Sequence, residues 1–152
     1  MDPSRHREVA VATYNRCWEL LELASRTPDD DIELLTLAFA SRYHWTFVGG
    51  SAESICADWM ISRAAAALGE GTLALAYAKR ANTEAQEPGV DDWLVASTAE
   101  GLARAYAAVR IQDLRDEWCA IAEELVRAIA DDEDRELIAS QLATVPRCAL
   151  SA

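Results

Sequence analysis

Six residues of this sequence have types and spacing that suggest chemistry: Arg42, His44, Trp59, Arg63, Glu100 and Arg104. His44 stands in SRYHWTFVGG (residues 41–50), flanked by Arg42, Tyr43 and Trp45. An imidazole titrating near ~6.5 serves as a general base or holds a ligand, and at a helix C-terminus it satisfies terminal carbonyls instead. Nucleophilic catalysis requires a serine or cysteine paired with such a base and an acid that orients it. No spacing here supplies that set, and the second histidine, His6, falls in an N-terminal stretch expected to be mobile. No catalytic residue is therefore assigned, and histidine-based metal binding is not expected.

The arginines carry a different chemistry. Arg63 interrupts an apolar stripe one turn after Trp59, and Arg104 follows Glu100 by one turn. A guanidinium beside an indole can stack on it while its fork grips a carboxylate, which suits a C-terminal carboxylate or a small acidic molecule. The plainer reading is a pair of structural arginines, with Arg104 and Glu100 joined at i, i+4. A charge on an apolar stripe must be compensated in either case.

The elements positioning these residues are helices. Ala10, Tyr14, Cys17, Trp18, Leu21 and Ala24 recur on one face, and Pro28 with three aspartates opens a second helix over about 30–48. Gly49 and Gly50 stop it, and Ser51 and Ser54 offer capping hydroxyls to a third over about 52–68. Further helices are expected over about 72–87, 91–109 and 113–130, and a last short one opens at DDEDRE and ends before Pro146. The acidic run at 131–136 reads as an N-terminal cap cluster; a calcium loop needs a central glycine and alternating ligands. The five tryptophans read as core plugs, Trp93 being the one expected to be most exposed.

Composition limits the function. Twenty-six acidic against 14 basic side chains give a net charge of −12, and no basic patch is concentrated enough to hold a nucleic acid or an anionic membrane. With no apolar leader and no run of about 20 apolar residues, a cytoplasmic chain is expected. Four widely spaced cysteines read as small buried hydrophobes rather than a disulfide framework or a zinc site. No cofactor is implied.

The chain also repeats itself. SRAAAALGEGTLALAYAKRA (62–81) aligns without gaps on ARAYAAVRIQDLRDEWCAIA (103–122), an offset of 41 that superposes Arg63 on Arg104. Helix pairs repeating at such a period mark a stacked α-solenoid. The stretch ALGEGTLALAYAKRANTEAQEPG resembles the second half of a tetratricopeptide (TPR) unit, with a Leu-Gly turn at 68–69, small residues at Ala74 and Ala81 and a closing Pro88. The second copy departs from that pattern, with Arg110 at the turn-glycine position and Arg115 at a small-residue position. More broadly, ASRYHW, ISR, ARAYA and ADDEDRE, in this order between Asn15 and Pro146, resemble a group of uncharacterised bacterial TPR-like proteins. Phe39 stands where that pattern usually has a histidine.

The expected architecture is all-α, a right-handed TPR-like solenoid of about seven antiparallel helices in one domain (1–146) with a loose tail (147–152). The resemblance to that group supplies little function, and the leading expectation is a non-catalytic adaptor that holds a protein or peptide, or a second copy of itself, in a concave groove. Trp59, Arg63, Glu100 and Arg104 would line that groove, and Arg42, Tyr43, His44 and Trp45 would extend it. The alternative is a small enzyme or ligand-binding protein in which Arg42, His44, Trp45, Trp59 and Arg63 converge on a small anion.

Overall fold

A computed structural model describes residues 1–148 and contains seven helices and no strand among them. They are α1 (Pro3–Leu21), α2 (Pro28–Val48), α3 (Ser51–Ala67), α4 (Gly71–Ala85), α5 (Asp92–Ala108), α6 (Gln112–Ala128) and α7 (Asp132–Leu142). Their starts follow from local chemistry. Pro3 opens α1, its missing N–H costing nothing in a first turn. Thr27 caps α2: its hydroxyl accepts from the Asp30 amide while the Asp30 carboxylate accepts from the Thr27 amide. Asp131 caps α7 by accepting from the Asp134 amide at 2.9 Å, so the acidic run does begin a helix. α3 departs from expectation, because Ser51 does not cap it. Glu53 does, accepting from the Gly50 amide at 2.8 Å, and Ser54 donates to Glu84 instead.

Glycines mark close approaches. A Cβ on Gly49 would sit 2.9 Å from the Trp45 carbonyl oxygen where α2 ends. One on Gly71 would sit 2.8 Å from the Ala108 carbonyl oxygen, so α4 starts hard against the end of α5.

The helices form two layers. α1, α3, α5 and α7 touch in succession, and α2, α4 and α6 pack against the odd-numbered helices that flank them. The main core lies between the layers, with Cys17, Leu20, Leu34, Ile55, Met60, Ile61 and Leu94 fully or almost fully buried. Alanines at 65, 74, 78 and 105 let α3, α4 and α5 approach closely in a second cluster.

The 41-residue offset holds at the level of single hydrogen bonds. After α3, the Leu68 amide reaches Ala64, Gly69 reaches Ala66 and Glu70 reaches Ala65; after α5, Val109 reaches Ala105, Arg110 reaches Ala107 and Ile111 reaches Tyr106. Gly69 takes φ +78° and Arg110 takes φ +61°. The turn is therefore kept although the glycine is not, with arginine held in the left-handed region that ordinarily favours glycine.

Two expectations are corrected. His6 is not in a mobile end: α1 begins at Pro3 and buries that ring. The first helix also ends at Leu21, before Ala24. Of the tail, Cys148 donates its amide to Gln112 Oε1 at 2.9 Å, and residues 149–152 lie outside the described residues.

Candidate functional site

One face of the molecule is built from the odd-numbered helices alone, and it holds a cavity of about 340 Å³. Tyr14, Trp18 and Glu22 come from α1 or its end, Cys56 and Trp59 from α3, Trp93, Leu94 and Ser97 from α5, and Leu137, Ile138 and Gln141 from α7. The spacings 14, 18, 22 and 93, 94, 97 are those of single helix faces, which is why one stripe from each helix reaches the same space. Four aromatic rings dominate this lining, and Glu22 is its one charged residue. A second cavity, edged by Trp45, Ala52 and Glu53, shares Tyr14, Cys56 and Trp93 with the first and so extends the apolar surface.

Trp59 forms the floor at 4% exposure. Gly101 makes room for it: a Cβ there would lie 3.0 Å from the indole Cδ1. Laid flat against α5, Trp59 donates its Nε1–H to the Ser97 carbonyl at 3.0 Å and, at 3.3 Å, faces Glu100 Oε2. Glu100 is fully buried and sits at the centre of a charge cluster. Arg104 reaches its Oε1 through Nε at 2.8 Å and Nη2 at 2.6 Å, and Arg63 Nη1 approaches the same oxygen at 3.5 Å. Arg104 is held further by the Gln141 carbonyl at 3.0 Å and the Thr144 hydroxyl at 2.8 Å, so it also ties α5 to the end of α7.

Arg63 is less well held. Its Nη1 is buried without a hydrogen-bond partner among the described residues. Burial, with Arg104 nearby, lowers its pKa to about 10 despite the opposing pull of Glu100. Desolvation of a cation and a like charge act in the same direction here.

The arginines of α3 and α5 therefore come together with Trp59 and Glu100, as their spacing suggests, but Glu100, Arg104 and Trp59 are mutually engaged in the interior. The cluster at 42–45 lies elsewhere. Arg42 donates to Asp58 at 2.7 Å, and Arg80 holds the other oxygen of that carboxylate at 3.1 Å. Asp58, 1% exposed within the otherwise apolar run of α3, is the buried charge that sequence reasoning missed. His44 pairs with His6, their Nδ1 atoms 2.9 Å apart, one ring donating and the other accepting. His6 also stacks on Phe47 at 4.2 Å. Arg7 completes this seam, donating to the Val48 carbonyl and lying 5.2 Å over Trp45. His44 lines neither the cavity floored by Trp59 nor a separate one lined by Arg63, Arg26 and Arg104. Tyr43 is exposed, on an α2 stripe with Ile32, Phe39 and Phe47.

The thiols nearest the aromatic cavity are poor nucleophiles. Burial raises Cys56 to about 11 and Cys17 to about 12, so both stay protonated at neutral pH. Among the described residues no three His, Cys, Asp or Glu side chains group so as to hold a metal ion, and no helix is long and apolar enough to cross a membrane.

Comparison with protein-family models, curated proteins and solved structures gives no match. The functional reading therefore rests on the aromatic face and the charge cluster behind it.

Proposed function

We propose that the chain is a TPR-like α-solenoid that binds a protein or peptide segment, without catalysis, on the face made by its odd-numbered helices. The observation that carries this reading is the cavity to which α1, α3, α5 and α7 all contribute, lined by Tyr14, Trp18, Trp59 and Trp93. Partly open aromatic rings at the centre of a recessed surface are what recognition hot spots are made of. The succession of odd-helix contacts and the bond-for-bond repetition of the turns at 68–70 and 109–111 support the solenoid part of the proposal.

The occupant is an apolar or aromatic peptide side chain with basic flanks. Glu22 and Glu53 stand at the two cavities, and the chain carries a net charge of −12. The test is a titration with two six-residue peptides sharing a Leu-Phe centre, one flanked by lysines and one by glutamates. The lysine-flanked peptide is expected to saturate the protein and to lose at least tenfold in affinity with Trp18→Ala. Equal binding of both peptides, or unchanged binding by Trp18→Ala, contradicts the assignment. The alternative of Arg42, His44 and Arg63 converging on one anion lacks support, because they occupy separate clusters.

A further inference from the structure

A third cavity, of about 230 Å³, opens on the same layer beyond Trp59, lined by Leu21, Arg63, Ala66, Ala67, Ala107 and Ala108 together with Arg26, Arg104 and Pro146. Three guanidiniums meet a lining that, among the described residues, contains no carboxylate. Their charges are unevenly answered. Arg26 is matched by Asp31 at 2.8 Å. Arg63 and Arg104 share the single carboxylate of Glu100, and Arg104 holds it at 2.6 Å against 3.5 Å for Arg63. One buried positive charge is thus left over, and it falls on Arg63, which is 17% exposed and has an unbonded Nη1. A cation in that position is expensive unless an anion compensates it.

We propose that this cavity is a binding site for a small carboxylate with a short apolar body, its oxygens held by the Arg63 guanidinium and its body against the alanines. A planar carboxylate matches the guanidinium fork, and with Arg26 engaged by Asp31 and Arg104 by Glu100, Arg63 alone of the three has charge to spare for one singly charged anion against the apolar walls of Ala66, Ala67, Ala107, Ala108, Leu21 and Pro146. The site is separate from the aromatic cavity and does not depend on the peptide reading.

The experiment follows thermal unfolding of the full chain in sodium butyrate, sodium phosphate and sodium chloride at matched ionic strength, for wild type, Arg63→Lys and Arg63→Gln. Butyrate is expected to raise the wild-type midpoint in a saturable way, with chloride flat. Arg63→Gln should weaken the effect at least tenfold, and Arg63→Lys should retain part of it, since the charge remains and the fork is lost. Circular dichroism of each variant without anion confirms that it is folded. As a second measurement, methyl resonances of Ala66 and Ala107 should move on adding butyrate to wild type. The proposal is overturned if butyrate acts no better than chloride, if phosphate outperforms it, or if Arg63→Gln responds as wild type does.

Discussion

Arg63 and Arg104 superpose in the repeat, yet their surroundings make them opposites. Arg104 holds Glu100 through two nitrogens and spends its remaining hydrogen atoms on the end of α7. Removing it leaves a fully buried carboxylate with weaker partners, so Arg104→Met is expected to destabilise the fold by about 3–5 kcal/mol. Arg63→Met removes a buried cation that is only partly compensated, and it is expected to be neutral or to stabilise by up to about 1 kcal/mol. Urea unfolding of both variants checks the pair, and equal losses would mean that the charges are shared evenly. Arg63 also sets a pH dependence. With its pKa lowered to about 10, its desolvation cost is present at neutral pH and relieved as pH rises through that value, and carboxylate binding should fade over the same interval. The pairing of Arg104 with Glu100 was legible from i, i+4 spacing. Asp58 was not, because a single charge among Ala57, Trp59 and Met60 gives no hint that Arg42 and Arg80 approach it from two other helices.

At the scale of elements, helix positions were readable because capping residues and glycines mark their ends, while the packing between helices was not. His6 shows why: nothing local links it to a ring 38 residues away. Burial and the neighbouring His44 lower its pKa, so protons bind the unfolded state more readily. Stability is therefore expected to fall as pH drops below about 6.5, with the start of α1 loosening first, and His6→Phe should flatten that dependence. Amide exchange of residues 3–12 at pH 5 and pH 7 provides the check. The turn after α5 makes a second prediction. Arg110 at φ +61° carries a strain that glycine does not, so Arg110→Gly should stabilise by about 1 kcal/mol, whereas Gly69→Ala in the matching turn should cost about as much. Opposite signs from chemical denaturation would establish that the two turns are the same device.

Across the whole molecule, the aromatic face arises because Tyr14, Trp18 and Trp59 sit on stripes that periodicity assigns to the interior, and Trp93, the tryptophan expected to be most exposed, joins them from the start of α5. Tyr14, Trp18 and Trp93 lie where an odd-numbered helix would be covered in a closed bundle, but here they stay half-buried around one cavity. Helical spacing tells which face is apolar and leaves open whether a neighbour covers it, which is why the tryptophans read as core plugs, with Trp93 alone expected to be more exposed. Only Trp59 among them is fully buried. The layered order of helices, with α1, α3, α5 and α7 adjacent, makes that open face continuous. The measurement that addresses it most directly is an NMR titration of the five indole N–H signals with the lysine-flanked Leu-Phe peptide. Saturable shifts of Trp18 and Trp93, with Trp118 on α6 unmoved, are the predicted result. Shifts centred on Trp118, or none at millimolar peptide, would contradict a binding face on the odd-numbered helices.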